Sequence, residues 1–166
     1  MTEPVFSLKN IVVTVGDNVQ ILKSLNLDIF EGDFITVLGT NGAGKSTLFN
    51  TIAGNLHIDS GQLLHHGRNI SNEAAVTRTN YIARVFQDPK MGTAPRMTVA
   101  ENLLLAEKRG QKRTLRSRGL TKEKLATYAN ITQVMGNNLD TRLQTATGDL
   151  SGGQRQALSF LMATRV

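Results

Sequence analysis

Residues 39–46 read GTNGAGKS, and most of the fold prediction rests on this stretch. It matches the pattern GxxxxGK[ST], in which glycines let backbone N–H groups curl toward phosphate oxygens. The helix predicted to begin at Lys45 would point its positive end at the same anion. The Lys45 ammonium would neutralise the outer phosphates, and the Ser46 hydroxyl would offer an oxygen ligand to Mg²⁺. The stretch therefore predicts a site for a phosphorylated ligand.

Apolar patterns around this loop predict an α/β domain. Phe34 to Leu38 is a short apolar run bounded by glycines, which is typical of a strand buried on both faces. Lys45 to Ala53 carries apolar residues at helical spacing, and Gly54 predicts the helix end. Tyr81 to Phe86 is the next strand candidate. Gln87 to Arg96 contains two of the three prolines, which predicts a loop.

An antiparallel hairpin is predicted before the phosphate loop. Val5 to Val15 is rich in β-branched residues, and Ile21 to Phe30 alternates between apolar and polar residues, as a half-buried strand does. Residues 16–18, Gly-Asp-Asn, predict the turn that joins them. A further short strand is predicted from Gln62 to His65.

Helices dominate the prediction for the second half of the chain. Thr98 and Glu101 have the spacing of a capping box, so a helix should begin there. Lys122 to Met135 has a helical apolar face, and another helix is predicted from Ser151. The predicted division is a helical subdomain at 98–140 within a core made of 1–97 and 141–166.

The net charge of +6 is concentrated in one segment. Residues 108–124 hold eight basic residues and one acidic residue, so this segment carries +7 and the rest of the chain −1. A solvated loop is the ordinary interpretation, with anionic lipid head groups and nucleic acid as alternatives. The segment has no aromatic residue for base stacking, so a nucleic-acid partner is not expected.

Composition excludes several classes of protein. The 166-residue chain has no Cys, which excludes a disulfide framework, thiolate zinc sites and thiol catalysis. No apolar run approaches the roughly 18 residues that a membrane-spanning helix needs. With 40% hydrophobic and 19% charged residues, the composition is that of a globular protein, which we expect to be cytoplasmic.

A second candidate anion site lies in the stretch LSGGQ at 150–154. Ser151 can cap a helix there, and Gly152 and Gly153 would expose backbone N–H groups at the positive helix end. A chain with two such sites would bind two ligands, or would hold one ligand together with a second chain.

Four motifs, in their order along the chain, resemble those of the nucleotide-binding subunit of an ABC transporter. They are GTNGAGKS at 39–46, VFQDP at 85–89, MTVAENL at 97–103 and LSGGQRQ at 150–156. The resemblance covers residues 5–166. It implies the ABC-type P-loop NTPase fold, an α/β fold with N-terminal antiparallel strands and a helical subdomain, and it implies ATPase activity.

The resemblance also implies roles for individual residues. The phosphates of ATP would be wrapped by Gly39, Thr40, Asn41, Gly42, Ala43, Gly44, Lys45, Ser46 and Thr47. Gln87 would touch Mg²⁺ or the attacking water, which makes Lys45 and Gln87 the catalytic residues and Ser46 and Gln87 the metal ligands. The ATP of a second protomer would be contacted by Ser151, Gly152, Gly153 and Gln154. ATP would thus join two protomers head to tail.

The chain also departs from the family pattern. Val15 stands where the family has an aromatic residue that stacks on adenine, and Ala157 and Met162 stand where it often has arginines. The family's Walker B strand, catalytic Glu and switch His have no match before Val166. We therefore expect a domain that is incomplete at its C-terminus, binds nucleotide weakly without turnover, and leaves Phe34–Leu38 with an open apolar edge.

The partners implied by the resemblance are a second ATP-binding subunit, in a homodimer or pseudo-dimer, a transmembrane permease and a substrate-binding protein. The loop at 87–96 would face the permease, which would hold the subunit at the cytoplasmic face of the plasma membrane. The Gln87 loop and residues 97–103 favour a bacterial importer, with amino acids as one substrate class. The alternative is a soluble ABC-type ATPase acting on nucleic acid or the ribosome, which only the basic segment supports.

Overall fold

The computed structural model describes residues 3–111 and 119–164, in two compact units, Met1–Arg78 and Thr79–Val166. The centre of the basic segment, with its predicted loop, lies outside the described residues. The division predicted from sequence, with bounds at 98 and 140, stays a prediction.

An antiparallel sheet forms the base of the first unit. The described residues give four strands in the order β2-β1-β3-β4. The predicted hairpin is present, as β1 (Phe6–Val15) and β2 (Val19–Ile29). β3 (Ser60–His65) pairs with the other edge of β1, and β4 (Arg68–Asn69) pairs with β3. The core of this unit consists of buried residues from these strands and from the segments beside them: Leu8, Ile11, Val13, Leu22, Leu48, Ile58, Leu63 and Ile70.

The described residues of the first unit include two helices. α1 (Lys45–Ile52) agrees with the predicted helix to within one residue, and Gly54 follows it with a positive φ of 82°. This helix buries only Leu48 and Thr51, while its Phe49 is 49% exposed. α2 (Ala75–Arg78) is a single turn at the end of the unit.

Two predicted strands are wrong. Phe34–Leu38 and Tyr81–Phe86 have no strand structure. The first run is largely in solvent, with Phe34 96% and Leu38 87% exposed. An apolar run becomes a buried strand only where neighbouring strands supply hydrogen-bond partners and cover its faces. None of the pairings recorded among the described residues includes either run.

Helices and short turns make up the second unit. α3 (Val99–Glu107), α4 (Lys122–Gln133) and α5 (Gly152–Ala163) confirm the three predicted helices. Short 3-10 turns lie at Pro89–Gly92, Asp140–Arg142 and Thr147–Asp149. The core of this unit consists of Val99, Ala100, Leu103, Ala106, Tyr128, Leu139, Leu143, Leu150, Leu158, Leu161 and Met162. Within the described ranges, no helix has both the length and the apolar character needed to cross a membrane.

The predicted capping box at the start of α3 is present. The Thr98 hydroxyl accepts from the Glu101 N–H, and the Thr98 N–H donates to the Glu101 carboxylate at 2.7 Å. This backbone hydrogen bond, and then the one from the Thr98 hydroxyl, lower the pKa of Glu101. The Glu101 carboxylate therefore stabilises the start of α3 most when it is ionised.

Glu101→Gln is expected to lower the free energy of unfolding by about 0.5 kcal/mol at pH 7, because the amide caps without a charge. A carboxylate whose pKa falls on folding stabilises the protein above its unfolded pKa, and this contribution is lost as the pH falls through the folded pKa. Urea unfolding between pH 7 and pH 3 should therefore show the two proteins converging at acid pH. Glu31→Gln, the same change in an exposed turn, is the control; a constant difference at all pH values would contradict the assignment.

Candidate functional site

The loop between residue 38 and α1 has the backbone of an anion nest. Gly42 and Gly44 have φ of 85° and 88°, which is the left-handed conformation that L side chains rarely adopt. A Cβ at Gly44 would also lie 2.9 Å from Ile21 Cγ2 of β2. A glycine is therefore required at this position, where the loop turns into the helix.

The N-terminal end of α1 is available to an anion. Its N-cap, Gly44, provides no side-chain hydrogen bond, and the first turn contains no acidic residue. The first N–H groups of a helix have no partner within the helix, and its dipole attracts negative charge. The loop and the helix end therefore present donors and positive potential, as the motif predicted.

Lys45 lies over the loop that precedes it. Its Nζ donates to the carbonyl oxygens of Gly39 and Thr40, both at 2.7 Å. An ammonium group has three N–H donors, so these two bonds hold the side chain across the loop and leave a donor for a ligand. The charge is therefore placed at the first residues of the loop, Gly39 and Thr40.

Ser46 fits a magnesium ligand chemically. It is exposed in the first turn of α1, and no hydrogen bond of its hydroxyl is recorded among the described residues. Mg²⁺ prefers oxygen ligands and is usually completed by phosphate oxygens and water. The described residues contain no cluster of three His, Cys, Asp or Glu side chains that could hold a metal by itself. A cation here would therefore depend on the bound phosphates.

Gln87 lies in the second unit and is exposed. Asp88 after it caps the 3-10 turn Pro89–Gly92, accepting from the Lys90 N–H at 2.9 Å. The Ser159 hydroxyl of α5 lies 3.5 Å from the Pro89 carbonyl oxygen. The predicted loop at 87–96 therefore contains a 3-10 turn, and Gln87 is exposed just before it.

The second predicted anion site is the N-terminal end of α5. Ser151 is the N-cap and forms a capping box with Gln154, whose amide also donates to the Asn137 carbonyl at 3.0 Å. Gly152 and Gly153 are exposed, and a Cβ at either would meet nothing within 4 Å. Packing within the described chain therefore does not require glycine at these two positions.

The predicted site residues thus fall into two groups. Residues 39–47 lie in the first unit, and Gln87 with residues 151–154 lies in the second. The roles of these residues stay predictions.

Arg78 is a residue that sequence patterns missed. It is 2% exposed, and its guanidinium donates to five main-chain carbonyl oxygens. Two of these, on Thr51 and Ile52, lie at the C-terminal end of α1, at 2.9 and 2.8 Å. Arg78 therefore anchors the helix whose other end carries the phosphate loop. A lone arginine in a polar stretch gave no signal of this.

Asn102 and Thr147 were missed too, and both are fully buried. Asn102 lies on the apolar face of α3, next to Val99 and Leu103. A polar residue among apolar residues at helical spacing is visible in the sequence, and it indicates a buried side chain that has hydrogen-bond partners. The Thr147 hydroxyl donates to the Ala94 carbonyl, 53 positions away along the chain, which no local pattern reveals.

Comparison with known proteins agrees with these motifs. The profile of the family described as ABC transporter matches residues 22–165. The chain is 41% identical over 153 residues to the tyrosine transport ATP-binding protein of Clostridioides difficile, covering 90% of this chain and 59% of that protein. It is 34% identical to the sn-glycerol-3-phosphate import ATP-binding protein UgpC of Vibrio cholerae, covering 92% of this chain and 38% of the relative. The chain thus spans less than two-thirds of the length of either relative.

Solved structures give the same result. The ATP-binding cassette MJ1267 of an ABC transporter superposes with a TM-score of 0.75 at 29% identity, covering 99% of this chain and 66% of that one. The cassette MJ0796, solved as a dimer in a post-hydrolysis state with ADP and Pi, gives 0.76 at 26% identity, covering 96% and 69%. The fold is therefore that of these ATP-binding cassettes.

Proposed function

The chain belongs to the ABC transporter family of ATP-binding proteins, and we propose that the whole protein is an ATPase subunit that powers import across a membrane. The loop at 39–47 binds the phosphates of ATP. The support is its geometry, with positive φ at Gly42 and Gly44, a helix end without a side-chain cap, and Lys45 bonded to carbonyls of the loop. Mg²⁺ would be held by Ser46 and the phosphates and would neutralise phosphate charge during transfer, and Gln87 stays a proposed ligand from the resemblance alone.

The observation that carries the proposed assembly is the exposure of Gly152 and Gly153. The described chain leaves open space where their Cβ atoms would lie, so the backbone at these two positions is accessible to a ligand from outside it. We propose that this ligand is ATP bound to a second protomer, contacted by Ser151, both glycines and Gln154. The dimeric cassette MJ0796 with ADP and Pi, a structural neighbour, supports this arrangement.

Gly152→Gln tests the shared site. Glutamine is a good helix former and has room at this position, so folding should be unaffected. We expect the affinity of the monomer for ATP to stay within about twofold, whereas ATP-driven dimerisation and ATPase activity should fall by about 100-fold because the side chain fills the contact. Light scattering and phosphate release on the full-length protein measure the two effects. Asn130→Gln, which puts the same side chain on the exposed face of α4, should change neither. Full ATPase activity in Gly152→Gln would refute the assignment.

The proposed partners are a permease, which would hold the subunit at the cytoplasmic face of the membrane, and a substrate-binding protein. We propose that the loop at 87–96 faces the permease. The relatives act in tyrosine transport and in sn-glycerol-3-phosphate import, which supports an importer. Amino acids are the substrate class that we propose, following the relative with the higher identity. Uptake of labelled amino acids and of glycerol phosphate by cells that lack the gene separates the two classes.

The described part of the basic segment gives little support to a nucleic-acid partner. Arg109 donates to the Met162 carbonyl at 3.3 Å, and Lys124 pairs with Glu107. These two cations are therefore engaged within the chain. Binding of RNA at physiological salt in a filter assay would favour the alternative of a soluble ATPase that acts on nucleic acid.

A further inference from the structure

The loop after the 3-10 turn Pro89–Gly92 is bonded to the segment that precedes α5. The Gly148 N–H donates to the Pro95 carbonyl and the Thr147 N–H to the Met97 carbonyl, both at 2.9 Å. The Thr147 hydroxyl donates to the Ala94 carbonyl at 2.8 Å. Three hydrogen bonds thus join residues 94–97, here called the reference loop, to Thr147 and Gly148.

Asn102 of α3 holds the reference loop from the other side. Its Oδ1 accepts from the Ala94 N–H at 2.8 Å, and its Nδ2 donates to the Ala94 carbonyl at 3.2 Å and the Thr98 carbonyl at 3.0 Å. Asn102 and Thr147 are both 0% exposed. The Ala94 carbonyl therefore accepts from two buried side chains, which fixes the loop between α3 and residue 147.

Arg155 extends this network to the first turns of α5. Its Nε donates to the Thr147 carbonyl at 3.1 Å, and one terminal nitrogen donates to the carbonyls of Gly148 and Leu150 at 2.9 and 3.2 Å. A guanidinium is a planar fork, so three bonds to one turn define its orientation closely. The segment before the helix and the helix itself are thus held as one piece.

The exposed end of α5 has few other supports. A Cβ at Gly152 or Gly153 would have no atom within 4 Å. The other contacts of this end are the capping box between Ser151 and Gln154 and the hydrogen bond from Gln154 to the Asn137 carbonyl. We propose that Thr147 and Arg155 are positioning residues, which set residues 151–154 against the reference loop at the orientation that a second protomer's ATP requires. This inference rests on the proposed function, because it takes the α5 end to be the shared nucleotide contact.

The test compares two measurements on the full-length protein: the affinity of the monomer for fluorescent ADP, and self-association driven by Mg-ATPγS, followed by light scattering. Thr147→Val keeps the shape and removes the hydroxyl. We expect association to weaken about tenfold, the effect of one buried hydrogen bond, while ADP affinity stays within about twofold. Thr147→Ser should restore association, since it keeps the donor. Thr141→Val removes a comparable bond, from an exposed hydroxyl to the Asn138 carbonyl, and should have no effect.

Arg155→Lys is the second variant, and it provides the test of this inference if Thr147→Val does not fold. It keeps the positive charge but loses the planar guanidinium with its several N–H donors, so association should weaken as it does in Thr147→Val. If both variants associated like the wild type, this inference alone would be overturned. It would also be overturned if ADP affinity fell as much as association, because that result indicates general damage to the fold. A wild-type protein that does not associate with Mg-ATPγS would overturn the proposed function and this inference with it.

Discussion

Arg78→Met is expected to lower the free energy of unfolding by about 4 kcal/mol, the range for breaking a buried charged network. The guanidinium donates to carbonyls of Thr51, Ile52, Ile70, Ser71 and Glu73, and methionine replaces none of these donors. The melting temperature should fall by about 10 °C, measured by calorimetry on the full-length protein. Hydrogen exchange at the C-terminal end of α1 should rise most.

Arg68→Met is the matched control for this prediction. Arg68 lies ten positions earlier in the same unit, but its side chain is 62% exposed and its partner is Glu73, at 3.3 Å. Surface ion pairs contribute about 0–1 kcal/mol, so the control should melt near the wild type. Arg78→Lys should recover part of the loss, since an ammonium reaches fewer carbonyls. Equal melting of Arg78→Met and wild type would show that the buried hydrogen bonds contribute nothing net.

Lys45→Ala is expected to weaken ATP binding about 100-fold, because a charged hydrogen bond to phosphate is worth about 1.5–3 kcal/mol. The turnover number should fall further, by about 1000-fold, since charge on the phosphates grows during transfer. Titration calorimetry and phosphate release on the full-length protein measure these two losses.

Lys23→Ala controls for the change in net charge. Lys23 is an exposed residue of β2, and its removal should leave ATP affinity within about twofold. The nest of N–H groups and the end of α1 remain in Lys45→Ala, so residual binding is expected. If Lys45→Ala bound ATP as tightly as the wild type, the loop at 39–47 would not be the phosphate site.

Much of the fold could be predicted from local sequence patterns. The hairpin of β1 and β2, the start of α1, the capping box at Thr98 and the cap at Ser151 depend on residues within four positions or on a two-residue period, which a sequence displays directly. The phosphate loop is equally local, since its backbone conformation follows from Gly42 and Gly44. These elements could be predicted because the interactions that form them are short-range.

The same local patterns could not predict interactions between residues that are far apart in the sequence. Phe34–Leu38 is apolar enough for a buried strand, but strand formation depends on neighbours that no local pattern identifies. Arg78 bonds carbonyls 26 and 27 positions away, and Thr147 bonds one 53 positions away. Main-chain carbonyls are the same in every residue type, so side chains that recognise them leave no complementary signal in the sequence.

The bonds of Arg78 to α1 have a consequence for synthesis of the protein. The phosphate loop leaves the ribosome first, but the carbonyls of Thr51 and Ile52 gain their guanidinium partner only after residue 78 has emerged, 26 and 27 positions later. At ordinary elongation rates this interval is about 1–5 s. During it the nascent phosphate loop has its glycines and its lysine but lacks the arginine that anchors its helix. Nucleotide capture should therefore begin only once the whole first unit, through residue 78, has emerged.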